Sequence, residues 1–135
     1  MVAAVCSWHE HHLRAVDAID GRRSRRERMV VAAPALVEAY AVLTRLPPPH
    51  RLAPDIALHL VDANFVHGVS CVALSAGEYR TLLRAAPDDG VAGGRAYDAV
   101  IARCARRARV RTLLTFNATH FAPFESPDLK IVVPS

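Results

Sequence analysis

The chain has 135 residues, of which 52% are hydrophobic and 22% charged. That length fits one packed domain and leaves no room for a second, and the composition excludes a disordered polymer. No apolar run approaches the roughly 20 residues that cross a bilayer. The apolar start Met1–Cys6 also lacks the basic flank and cleavage site of a leader, so a cytoplasmic protein without a membrane partner is expected.

The first helix is predicted over His9 to Ile19, where Leu13, Val16 and Ile19 recur at helical spacing, and Gly21 with the arginine run behind it should end it. Met29 to Ala33 is a short β-branched run that reads as a buried strand. Pro34 then stands at a helix start, and Ala35 to Leu46 carries Leu36, Ala39, Tyr40 and Leu43 on one stripe until Pro47-Pro48-Pro49 stops it. A helix fits Pro54 to His67, and Ser70 to Leu74 is the next strand. Ser75 can cap a helix through Tyr79, Leu82 and Leu83, followed by a flexible link at Asp88-Asp89-Gly90 and Gly93-Gly94. A long helix from Arg95 to Arg109 leads to the strand Thr112 to Phe116, a turn over Asn117 to Phe121, and a last strand, Lys130 to Val133. Strands alternating with helices imply an α/β fold, a three-layer α/β/α sandwich on a parallel sheet. Such a fold normally opens with a strand, and Met1 to Val5 can supply only its end.

Basic residues outnumber acidic ones by 17 to 13. Most are arginines in two clusters: Arg22, Arg23, Arg25, Arg26 and Arg28, then Arg103, Arg106, Arg107, Arg109 and Arg111. Guanidinium forks suit phosphate oxygens, so the clusters read either as polyanion contacts or as solvated helix ends. Cys6, Cys71 and Cys104 are odd in number with no CxxC pair, which points to core thiols rather than disulfides or a zinc site.

Three places carry candidate chemistry. Glu38 has only apolar neighbours in Leu36-Val37-Glu38-Ala39-Tyr40, and burying an ionised carboxylate there would require a partner, water or a cation. The alternative puts Glu38 on the exposed stripe of its helix, with Arg45 seven residues on. Asp98 follows the Gly93-Gly94 pair near a helix start, a position that the helix dipole alone also favours. Thr115-Phe116-Asn117 places polar groups where a strand leaves the sheet, and open α/β sheets gather ligands beyond the carboxyl ends of their strands.

Taken in order, Trp8-His9-Glu10-His11-His12, Pro34-Ala35-Leu36-Val37-Glu38-Ala39-Tyr40, Tyr97-Asp98-Ala99 and Leu114-Thr115-Phe116-Asn117-Ala118-Thr119-His120-Phe121 resemble the PIN-domain family over nearly the whole chain. The likeness is greatest to the VapC toxins of type II toxin-antitoxin pairs. It implies an endoribonuclease dependent on Mg²⁺ or Mn²⁺, with Glu38 and Asp98 as ligands, direct or through water, and Thr115 and Asn117 positioning water or the outer shell of the metal. It also implies an RNA substrate, a small antitoxin encoded beside the gene, and a homodimer. The chemistry has a physical basis outside the family: carboxylate oxygens suit magnesium, which lowers the pKa of bound water and neutralises charge on a phosphodiester.

The chain departs from that family in two ways. PIN domains usually begin with a strand ending in Asp-Thr-Asn or Asp-Thr-Ser, whose aspartate is a metal ligand, and Met1-Val2-Ala3-Ala4-Val5 matches only the apolar residues after it. The single domain of residues 1–135 therefore reads as truncated at its N-terminus, and a start codon assigned too late would account for the missing strand and ligand together. Asn117 occupies the fourth acidic position without a charge. A binding module that holds antitoxin or RNA without cleaving is the alternative these departures support. His9, His11 and His12 could be taken for a transition-metal site, but HEHH lacks the i,i+4 pair of zinc proteases, and the exposed start of a helix is the simpler reading. Trp8, Tyr40 and Tyr97 are expected to pack beside apolar stripes rather than stack on bases.

Overall fold

The computed structural model describes residues 1–135. Its chain divides into two compact units, Met1–Cys71 together with Ser135, and Val72–Pro134. No helix in it is long and apolar enough to cross a membrane.

In the first unit, α1 (Val2–Val5) is a single helical turn, where the end of a strand was expected. An extended segment needs a neighbouring strand for its backbone groups, whereas the turn satisfies them locally through Ala4 N–H to Met1 O and Cys6 N–H to Val2 O. The next helix, α2 (His12–Ser24), starts later than its spacing predicts and runs through Gly21 instead of ending there. A mid-helix glycine costs about 1 kcal/mol against alanine. Arg22 donating to Ala18 O and Ser24 to Asp20 O add local support, and basic residues in the last turn suit the helix dipole.

Arg26, at φ 58°, is what stops α2. Its N–H donates to Arg23 O and that of Glu27 to Arg22 O, the paired bonds of a Schellman cap, in a position that glycine usually fills.

β1 (Val30–Ala32) passes directly into α3 (Ala33–Arg45), with Pro34 in the first turn, where its missing N–H costs nothing. α4 (Pro54–Phe65) begins the same way. These two helices bury a cluster of Ala39, Leu43, Ala57 and Val61 with Cys6, flanked by Met1, Val2, Val5, Leu36, Leu46 and Leu52. Alanines at two of the five positions let the helix backbones approach closely around the fully buried Leu43. Gly68, at φ 71°, turns the chain into β2 (Ser70–Val72), which pairs with β1 and is pinned at its start by Ser70 N–H to Met29 O. β2 has β1 as its only strand neighbour, so it is mostly exposed, and Cys71, expected among the core thiols, is exposed with it. Cys6 and Cys104 are buried thiols, as their surroundings suggested.

In the second unit, Ser75 caps α5 (Ala76–Ala85) in a reciprocal box: its hydroxyl accepts from Glu78 N–H while the Glu78 carboxylate accepts from Ser75 N–H. Glu78 also pairs with Arg107. The Ser75 backbone bond, followed by the Arg107 and Ser75 side chains, holds the Glu78 carboxyl down at about 2. A depressed acid stabilises the fold above its unfolded pKa of 4.5 and loses that contribution as pH falls toward 2. Ser75→Ala is expected to cost about 1 kcal/mol in urea unfolding at pH 7. Glu78→Gln should be less stable than wild type at pH 7 and converge on it between pH 4.5 and 2, and a difference constant with pH would refute the coupling.

α6 (Arg95–Arg107) buries Ala99, Ala102, Cys104 and Ala105 and ends on a second Schellman cap, with Arg109 at φ 53°. β3 (Thr112–Leu114) and β4 (Lys130–Val132) pair in parallel, Thr112 opposite Lys130 and Leu114 opposite Val132. Between them the expected turn is a short helix, α7 (Ala118–Phe121), and a 3-10 turn, Ala122–Phe124, with Phe121 and Leu129 buried. The helices and short strands are those of an α/β fold, and the strands pair two and two, β1 with β2 and β3 with β4.

Candidate functional site

In the second unit, Asp98 lies in the first turn of α6, after Gly93 at φ 57° and the N-cap Gly94. Its side chain is 17% exposed and its Oδ2 lies 3.2 Å from Nδ1 of His120. His120 is on α7, which packs against α6. An ionised carboxylate only accepts, so Nδ1–H is the donor of that bond.

The turn carrying His120 is built from Thr115 onward. Thr115 extends the β3 ladder through its N–H to Val132 O, at the carboxyl end of the strand. Its hydroxyl oxygen accepts from Asn117 N–H at 3.0 Å, which fixes the exit from the sheet. Asn117 is the N-cap of α7 but makes no side-chain cap bond, so its amide is left exposed to other ligands. The N–H of His120 returns to Asn117 O. Asp98, Thr115, Asn117 and His120 are thus linked by backbone and side-chain bonds beyond the carboxyl end of β3, where such sheets gather ligands. The expected roles left His120 out, although it stands three residues after Asn117 and so could have been placed on the same turn.

Glu38 belongs to the first unit, in the second turn of α3. The helix turns Ala39 and Leu43 into the core, while Glu38 is exposed beside Val37 and Tyr40. Water reaches this carboxylate, so it carries no burial cost and needs no partner or cation on that account. The α-amino group of Met1 feels the Glu38 charge: burial pushes its pKa down, and the carboxylate offsets part of that. No three His, Cys, Asp or Glu side chains are gathered as a metal-ligand set.

The histidine run has structural work at the start of α2. Nδ1 of His12 lies 2.9 Å from Ala3 O, and Nδ1 of His9 accepts from His11 N–H at 3.1 Å. The aromatic residues depart from the expectation that they pack: Trp8 is 46% exposed and stacks on His50 at 4.1 Å, Tyr40 is partly exposed, and Tyr97 is 72% exposed. Trp8 lies in the turn between α1 and α2, outside any helical stripe, while Tyr40 and Tyr97 fall at the edge of theirs, where helical spacing alone does not separate buried from exposed positions.

The family model of the PIN domain matches residues 1–122. The chain belongs to the PIN-domain family. It is similar to Ribonuclease VapC40 of Mycobacterium tuberculosis, in the strain CDC 1551 / Oshkosh and in ATCC 25618 / H37Rv alike. In each case identity is 39% over 113 residues, covering 84% of this chain and 78% of the relative. No solved structure matches it. The PIN-domain match runs through both units and includes Glu38, Asp98, Thr115 and Asn117.

Proposed function

We propose that this PIN-domain chain is a VapC-type toxin endoribonuclease that cleaves RNA phosphodiester bonds with Mg²⁺ or Mn²⁺. The observation that carries the reading is Asp98 held against His120 on the short helix that Asn117 begins, beyond the carboxyl end of β3, in a chain 39% identical to a ribonuclease. Their donors are oxygens, a carboxylate and an amide, which fit a hard cation in kind. Asp98 and Glu38 would be the anionic ligands, with the Asn117 amide and the Thr115 hydroxyl holding water at its outer shell. A bound divalent ion would supply an activated water and charge neutralisation at the phosphate. Asp98 would exchange its contact with His120 for the ion. The run of the PIN-domain match across both units supports their acting as one domain. A cognate antitoxin, a homodimer and a cytoplasmic setting belong to the same proposal.

The test is cleavage of labelled RNA by protein stripped with EDTA and then supplied with Mg²⁺ or Mn²⁺. It is run on the chain from Met1 and on one extended through the in-frame codons upstream. Cleavage restored by metal supports the reading, and cleavage indifferent to EDTA overturns it. Glu38→Gln should lower the restored rate by at least about tenfold, since even outer-shell partners of a metal are worth 10- to 100-fold. A second reading, binding without cleavage, is favoured by the exposed Glu38 and the neutral Asn117. RNA bound by both chains in Mn²⁺ without strand scission would establish it.

A further inference from the structure

The first arginine cluster does more than close α2. Beyond Arg26, Arg28 and Met29 lead into β1, and across from them His67, Gly68 and Val69 lead into β2, so both strands begin beside one groove of about 430 Å³. Arg23, Arg26 and Arg28 line it, all exposed, with His67 and Ser70 opposite. Its one lining carboxylate, Glu27, is turned to Arg25 at 2.8 Å and to Arg22 at 3.7 Å, neither of which lines the groove. Arg23 is held in place by donating to Asn64 O at 3.0 Å and by Asp20 at 3.7 Å. The left-handed backbone of Arg26 is a conformation that glycine would adopt with less strain, so the sequence keeps a cation there at an energetic cost. Gly68 leaves the facing wall open, with nothing within 4 Å of where a Cβ would stand.

We infer that this groove is a phosphate-binding exosite that grips the backbone of the RNA substrate away from the scissile bond. The inference rests on the ribonuclease reading for its choice of polyanion. Three guanidinium groups line the groove, and its apolar members are only Met29, Ala63 and Val69, with no Phe, Tyr or Trp, a lining that suits phosphodiester oxygens better than the large aromatic anchors of a protein interface. The location is remote from Glu38: α3 starts at the carboxyl end of β1, and the groove lies at the amino end of that strand, roughly 10 Å away along three residues. Contacts there carry no base information and add affinity in proportion to RNA length.

The test compares the wild-type chain with an R26G/R28Q variant, in which glycine relieves the left-handed position while two cations are lost. R80Q/R84Q on α5 removes the same charge from exposed positions elsewhere. Binding of labelled single-stranded RNA is read by fluorescence anisotropy in EDTA over a salt series, so a chain that never cleaves still gives an answer. For a 24-nucleotide RNA, R26G/R28Q should weaken binding about tenfold and flatten the log–log salt dependence by about 0.7 per lost contact. A 6-nucleotide RNA should bind it as it binds wild type. Equal loss at both lengths, an unchanged salt slope, or the same loss in R80Q/R84Q would overturn the exosite. So would RNA binding left intact while binding of polyglutamate is lost, which would assign the groove to an acidic protein. Thermal melts of the variants exclude unfolding as the cause.

Discussion

Asp98→Asn is expected to lower metal-dependent RNA cleavage by at least about 100-fold, close to 2.7 kcal/mol in the barrier. The side chain keeps its size and can still face His120, so the change removes charge while leaving the packing of α6 against α7 in place. Magnesium gives up its hydration reluctantly and needs anionic oxygen to compensate, and with Asn117 neutral each remaining carboxylate counts for more. The thermal midpoint should hardly move, because Asp98 is not part of the apolar core. Titration with Mn²⁺ separates the causes: a weakened ligand is partly rescued at high metal, and a misfolded chain is not. The reciprocal change, Asn117→Asp, adds an anionic oxygen at the start of α7 and should lower the metal concentration needed for half-maximal cleavage. Cleavage that persists undiminished in Asp98→Asn would remove Asp98 from the metal site.

The largest effect on stability is expected at Leu43. It is 0% exposed and sits between Ala39 on its own helix and Ala57 and Val61 on α4. Its carbonyl also accepts from Leu52 N–H, which ties the proline-rich connection back onto α3. Leu43→Ala removes packed methyl groups where the neighbouring alanines are too small to fill the void, so the cost should be about 3 kcal/mol. For a chain of this length that lowers the thermal midpoint by roughly 10 °C. Leu83→Ala is the control, because Leu83 is 60% exposed and its loss should stay within about 0.5 kcal/mol. A urea midpoint for Leu43→Ala within error of wild type would mean that the α3–α4 cluster does not limit unfolding.

Much of the fold was legible because its signals are local. Pro34 and Pro54 mark the starts of α3 and α4 through their fixed φ and missing N–H, and Ser75 with Glu78 marks that of α5 through two reciprocal hydrogen bonds. The alternation of helices and short strands is enough for the α/β class, and the acidic and polar positions at Glu38, Asp98, Thr115 and Asn117 stand out from their apolar surroundings.

Other features depend on which groups end up beside one another in the folded chain. Gly21 looked like a helix stop, yet the chain turns at Arg26, because a Schellman cap is set by which carbonyls the next two N–H groups reach. Met1 to Val5 became a helical turn, since the extended form needs a neighbouring strand. Cys71 and β2 look apolar in sequence and are exposed, because burial depends on how many neighbours a strand has.

The amino-acid sequence by itself determined which residues could carry chemistry, since charge and donor type belong to the side chain. Tertiary structure alone decided their company. It placed His120 against Asp98 across 22 positions of sequence, turned Glu38 to water, and opened a groove among the arginines at the start of two strands. Those contacts depend on helix packing and on the direction in which each helix presents its face, which no spacing along the chain specifies.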